Sequence, residues 1–204
     1  MDRSQKIQDR VDKPAILALI GARGGSKGLK NKNLLDFAGK PLIQWTIEAA
    51  LRSEYIDDVV VSTDSEQIQS AALKAKARAP FLRPPELAAD DSDINDAIVH
   101  AIEWLRANEG SQYDIVVLLQ PTQPLRDVDL IDCLIAGYLG SGHNQRDPLV
   151  TVTRAEAKAA YLMRADGEFI DFALQKESLS SNRQEAPLYY YPAGALYIAP
   201  SRLS

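Results

Sequence analysis

Arg23, Lys27, Lys30 and Lys32 stand within residues 23–33, a run that contains no acid, although the chain as a whole carries a net charge of −5. Glycines at 21, 24, 25 and 28 are interleaved with these cations. Glycine lets a backbone approach a ligand closely, while exposed amides and basic side chains offset anionic oxygens. The chemistry this composition suits is polyphosphate binding. Two common phosphate loops are excluded by spacing. A P-loop needs Gly-Lys followed by Ser or Thr, and here the order is Ser26-Lys27. The glycines also miss the G-x-G-x-x-G spacing of a dinucleotide fingerprint. What remains is Arg-Gly-Gly-Ser-Lys-Gly-x-x-x-Lys-Asn, which makes Arg23, Gly24, Gly25, Ser26, Lys27, Lys32 and Asn33 the candidate binding residues.

A buried strand must carry such a loop, and the apolar run Ala15–Ile20 directly before it reads as one. Further strands are predicted at Asp58–Val61 and Tyr113–Leu119, and helices near Pro41–Arg52, Ser65–Ala77, Asp93–Ala107 and Asp127–Leu139. Pro41 suits a helix start. Asp64 reads as part of a cap before the Ser65–Ala77 helix. Ile94, Ile98, Ile102 and Leu105 fall on one stripe of the Asp93–Ala107 helix. Continuous apolar strands separated by helices predict an α/β fold with a parallel sheet covered on both faces. Ligands of such sheets bind beyond the carboxyl ends of the strands, so loops 21–33, 62–65 and 120–126 should converge. After Gly140 the rhythm breaks. Leu149–Thr153 and Gly194–Ala199 read as strands, and between them lies a hairpin-like region with Asp166-Gly167 at its turn.

Composition bounds the partners. The chain has 204 residues, 46% hydrophobic and 25% charged, ordinary for one globular domain behind a polar extension over residues 1–13. An acidic balance argues against nucleic acid or an anionic membrane as the main partner. No apolar run approaches the roughly 20 residues of a membrane span. Cys133 is the sole cysteine, so an intrachain disulfide is excluded and a reducing cytoplasm is the expected location. Within DLIDCLIAGYL it reads as a packed core thiol rather than a nucleophile. His100 and His143 lack zinc-ligand spacing. Glu86, Asp90, Asp91, Asp93 and Asp96 fit no calcium loop and read as a surplus of acid at a helix N-terminus.

Several separated motifs occur in one order: the glycine loop; Val60-Val61-Ser62-Thr63-Asp64-Ser65; Arg83-Pro84-Pro85-Glu86-Leu87-Ala88; Leu118-Leu119-Gln120-Pro121-Thr122-Gln123-Pro124-Leu125-Arg126; and Gly194-Ala195-Leu196-Tyr197. In this order they resemble the cytidylyltransferases that activate acidic sugars, especially the CMP-N-acylneuraminate synthetases, from about Pro14 to Ala199. The resemblance implies a three-layer, mostly parallel sheet of the nucleotide-diphospho-sugar transferase (Rossmann-like) type. It implies a single nucleotidyltransferase domain over 14–204 with a small inserted dimerisation arm at about 153–187. The implied reaction is attack of a sugar hydroxyl on the α-phosphate of CTP, giving a CMP-sugar for cell-surface polysaccharide biosynthesis and pyrophosphate.

By the same resemblance Arg23, Gly24, Gly25, Ser26, Lys27, Lys32 and Asn33 hold CTP, with Arg23 and Lys27 as the catalytic cations, and Arg83 helps select cytosine. Gln120, Lys158 and Arg183 meet the sugar. A homodimer is implied, with Lys158 or Arg183 serving the neighbouring site. The chain departs from the family at Gln123, where Ser is common, and at Tyr191-Pro192-Ala193, where Arg-x-Asn is common; both changes touch the sugar side. The resemblance also implies Mg²⁺, bound by an Asp-x-Asp pair further along. No equivalent pair is visible before Ser204, so no metal ligand is assigned and a truncated chain is the expectation. Two other readings stay open: a nucleotidyltransferase for another acidic sugar such as 3-deoxy-octulosonic acid, and a non-catalytic nucleotide-binding homologue.

Overall fold

The computed structural model describes residues 13–25, 28–89, 92–141, 147–154, 163–166, 169–172 and 190–201. In chain order the elements are β1 (Ile16–Gly21), β2 (Asp36–Phe37), β3 (Lys40–Pro41), α1 (Leu42–Arg52), β4 (Asp58–Ser62), α2 (Glu66–Lys74), α3 (Ile94–Glu109), β5 (Ile115–Leu119), α4 (Val128–Gly140), β6 (Leu149–Arg154), β7 (Met163–Asp166), β8 (Phe169–Phe172) and β9 (Tyr190–Pro200). Short 3₁₀ turns sit at Lys32–Leu34 and Pro85–Leu87. The chain divides into two compact units, Met1–Leu149 with Ala195–Ser204, and Val150–Gly194.

In the first unit β1 runs parallel to β4 on one side and to β5 on the other. Ile16 to Ile20 are all fully buried, which is why the run carries no polar residue. Alternate β1 side chains feed opposite cores. Ile16, Ala18 and Ile20 join Ile43 and Ile47 of α1, Ile68 of α2, and Ile131 and Ile135 of α4. Leu17 and Leu19 join Phe81 and, from α3, Ala101 and Leu105. Helices therefore cover both sheet faces, the three-layer arrangement the apolar runs predicted. The strand order is β4-β1-β5-β9-β6; the β4–β1–β5 centre is parallel and β9 pairs antiparallel with β5. Asp57 and Asp114 fix the start of β1 by accepting the N–H groups of Ile16 (2.9 Å) and Ala15 (2.8 Å).

In the second unit β7 and β8 pair antiparallel with Asp166 opposite Phe169. Gly167 of the expected turn lies outside the described residues.

Three sequence expectations need correction. Cys133 is exposed on α4 rather than packed in the core; Ile131 and Ile135 point inward from the same helix, and Cys133 falls between them on the 3.6-residue period. Ile94 does not share the buried stripe of α3 but is 46% exposed. Asp64 does not cap α2: the Ser65 side chain accepts the Ile68 N–H. Element ends also shift. α2 stops at Lys74, before the positive φ of Lys76 (70°), and β9 begins at Tyr190, earlier than Gly194. Asp93 and Asp127 cap α3 and α4, consistent with acids at helix starts.

A hairpin braces the far end of the glycine loop. β2 and β3 are joined by Ala38 and Gly39, both with positive φ (52° and 91°), as a type I′ turn requires. Trp45 of α1 donates its indole N–H to Phe37 O at 2.8 Å and lies under Lys40, 3.6 Å from the ring centroid. Alanine is strained in the left-handed region, by roughly 1–2 kcal/mol. Ala38→Asn should therefore stabilise the fold by about 0.5–1 kcal/mol, read as a higher urea midpoint with unchanged slope.

Candidate active site

The loop leaving β1 turns sharply at Gly24. Its N–H donates to Asp64 Oδ1 at 2.8 Å, and a Cβ there would lie 3.0 Å from the Ser65 Cβ. Close approach favours glycine at this position. Ala22 N–H donates to Ser62 O at 3.0 Å, continuing the β1–β4 ladder into the loop. The loop returns through the 3₁₀ turn Lys32–Leu34, preceded by Asn31 in the left-handed region (φ 55°). That turn buries Asn33, 3% exposed, whose Nδ2 donates to Arg23 O at 3.2 Å. The two ends of the loop are thus tied to each other.

A cavity of about 250 Å³ opens above the ends of β1 and β5. Gly21, Arg23, Lys32, Asn33 and Arg83 line one part of it, and Leu118 to Thr122 and Ile94 the rest. A second cavity of about 260 Å³ shares Arg23, Arg83 and Ile94 and adds Leu87, Ala89, Ser92 and Asp93. This explains the exposure of Ile94: it is an apolar wall of both cavities.

Arg83 is no surface loop residue. It is 6% exposed, and its guanidinium donates to Ser62 O at 2.7 Å and Leu87 O at 3.3 Å. Burial pushes the Arg83 guanidinium below its usual range; Asp64 opposes this and the like charge of Arg23 adds to it. Arg23 itself donates to Ala89 O at 3.2 Å. Asn33 Oδ1 and Arg83 Nε are buried without a hydrogen-bond partner among the described residues. Buried polar atoms are normally paired, so these two are exceptions beside the cavity.

Gln120 stands at the end of β5, and Arg126 fixes its backbone. The Arg126 guanidinium, 5% exposed, donates to Gln120 O at 3.4 Å from both terminal nitrogens, to Thr46 Oγ1 at 3.0 Å, and to Ala195 O. Burial pushes it down to about 10. It therefore ties the loop after β5 to α1 and to β9.

Of the residues expected at the site, the structure gathers Arg23, Lys32, Asn33, Arg83 and Gln120 around one cavity. Gly24 and Gly25 lie on the same loop, but the Gly24 amide is engaged by Asp64. Ser26, Lys27, Lys158 and Arg183 lie outside the described residues. Sequence reasoning missed Asp64, Arg126 and Ile94. For Arg126 the signal was its place at the end of the Gln120 motif; for Ile94, an apolar residue at the first helical position. Among the described residues, no group of three or more His, Cys, Asp or Glu side chains could hold a metal ion. The implied Mg²⁺ finds no ligand set among them.

The profile of a family described as cytidylyltransferase matches residues 17–178. The chain belongs to the cytidylyltransferase family. It is 35% identical over 188 residues to a pseudaminic acid cytidylyltransferase of Campylobacter jejuni subsp. jejuni, covering 91% of this chain and 78% of that one. It is 35% identical to a CMP-N,N'-diacetyllegionaminic acid synthase of Legionella pneumophila subsp. pneumophila, covering 92% and 78%. An N-acylneuraminate cytidylyltransferase of Escherichia coli O18:K1:H7 is 38% identical, covering 90% of this chain and 42% of that one. In fold, a CMP:2-keto-3-deoxy-manno-octonic acid synthetase solved with CTP superposes with a TM-score of 0.68 at 20% identity, covering 92% and 74%. In this cytidylyltransferase the buried Arg83 lines the site, while the buried Arg126 ties the loop after β5 to α1 and β9. Arg126→Met should cost about 3 kcal/mol in urea denaturation, because Gln120 O, Ala195 O and Thr46 Oγ1 lose their charged donor.

Proposed function

We propose that this enzyme transfers CMP from CTP to an acidic sugar of the nonulosonic class and releases pyrophosphate. The observation that carries the reading is the cavity wall of Arg23, Lys32, Asn33 and Arg83 facing Gln120 across the ends of β1 and β5. The relatives named for pseudaminic, legionaminic and N-acylneuraminic acids support the class of acceptor. In the reaction a sugar hydroxyl oxygen forms a bond to the α-phosphorus while the bond from that phosphorus to the bridging oxygen of pyrophosphate breaks. No enzyme nucleophile takes part; positioning and charge stabilisation lower the barrier. Arg23 and Lys27 offset charge on the phosphates. Asn33 Oδ1 suits the exocyclic amine of cytosine and Arg83 Nε its carbonyl. Gln120 faces the acceptor.

Pyrophosphate release tests this with CTP, ATP, GTP and UTP across nonulosonic acids and 3-deoxy-octulosonic acid. CTP with a nonulosonic acid should exceed every other pairing at least tenfold in kcat/KM. A preference for 3-deoxy-octulosonic acid moves the acceptor, and equal use of ATP removes the cytosine assignment. Arg23→Ala and Lys27→Ala should each lower kcat/KM for CTP at least tenfold, on the order of 1.4 kcal/mol or more. Wild-type values in both variants would end the phosphate role.

A homodimer is proposed with this reading. Val152, Tyr190 and Tyr191 in the second unit are 53%, 56% and 55% exposed, and exposed apolar and aromatic side chains of this kind suit an interface. Light scattering should give about twice the 22.4 kDa of one chain, and full activity at the mass of one chain would rule out a required dimer. Mg²⁺ is proposed to arrive on the triphosphate oxygens, and a cytoplasmic location goes with CTP as substrate.

A further inference from the structure

The turn after β4 does more than begin a helix. Ser65 caps α2, which leaves the neighbouring Asp64 carboxylate for another partner. That partner is the Gly24 N–H, 40 residues away in sequence and 2.8 Å from Oδ1. The turn that carries Asp64 is itself fixed. Ser65 N–H donates to Thr63 Oγ1 at 3.1 Å, and Thr63 O accepts the Arg83 N–H at 2.7 Å. Gly24 is held close against this turn: a Cβ there would stand 3.0 Å from the Ser65 Cβ, a tight contact. Asp64 also attracts the Arg83 guanidinium, which Arg23 repels. Two like charges are therefore brought to one cavity, with one carboxylate beside both the loop and the buried arginine.

We propose that Asp64 is a positioning residue: it fixes the glycine loop at Gly24, so the nucleotide meets a wall already formed. A carboxylate accepting a backbone N–H is about twice as strong as a neutral acceptor. Ordering the loop before binding removes that entropy cost from the binding step. Asp64 acts on the loop rather than on the substrate: its Oδ1 accepts the Gly24 N–H. The inference rests on the CTP reading for its affinity readout alone.

The test measures hydrogen exchange at the Gly24 amide and CTP affinity by calorimetry, in the wild type, D64A and D64N. D64A should exchange at Gly24 at least tenfold faster and bind CTP at least tenfold more weakly. D64N keeps an oxygen acceptor without the charge, so it should fall between D64A and the wild type in both readings. A residue serving only to start α2 would leave Gly24 exchange untouched in D64A, and that result overturns the proposal. So does a D64N variant that exchanges as fast as D64A. If D64A does not fold, D64N is read against the wild type: exchange at least threefold faster supports the brace, and unchanged exchange overturns it. Wild-type protein that fails to bind CTP, while Gly24 exchange still depends on Asp64, sinks the substrate reading and leaves the brace in place.

Discussion

Everything at the site depends on β1 being enclosed in parallel between β4 and β5. A strand with neighbours on both edges and helices on both faces has nowhere to place a polar side chain, so Ile16 to Ile20 are apolar throughout. The chain passes from β1 to β4 on one side and later reaches β5 on the other. Where the direction of winding reverses, the loops from neighbouring strands part and leave a crevice at their carboxyl ends. The cavity lined by Gly21, Arg23, Lys32 and Asn33 and by Leu118 to Thr122 is that crevice.

Two buried arginines turn the crevice into a shaped site. Arg83 spans Ser62 O and Leu87 O; Arg126 spans Gln120 O, Thr46 Oγ1 and Ala195 O. Each satisfies carbonyls that strand ends leave open, and a planar fork of donors does this without flexibility. The cost is desolvation of a cation, seen in the lowered range of both groups. Arg83 recovers part of it from Asp64. Arg126 donates to the neutral oxygens of Gln120, Thr46 and Ala195, which ties the loop after β5 to α1 and β9.

The second unit follows different rules. Its strands carry exposed apolar and aromatic side chains, Val152, Tyr190 and Tyr191 among them. In the first unit apolar side chains of this kind fill two cores separated by the sheet. The contrast is in the balance of surface to volume: a unit of this size encloses little interior.

By itself the sequence determined the strand–helix order, the sheet covered on both faces and the phosphate-type loop. These follow from local quantities: an apolar run, a helical period, a glycine spacing, and a cluster of cations without acids. It also singled out Arg23, Lys32, Asn33, Arg83 and Gln120, through motifs that resemble a known family. Only the tertiary structure decided what Asp64, Arg126, Ile94 and Cys133 do. A carboxylate before a helix looks like a cap until a glycine 40 residues earlier is brought within 2.8 Å of it. An arginine after a proline turn looks like surface until α1 and β9 close around it. An apolar residue looks like core until a cavity opens beside it, and a cysteine in an apolar helix looks buried until the helix phase turns it outward. Contacts between distant segments depend on how the layers pack, and one residue's type carries no record of which distant partner arrives.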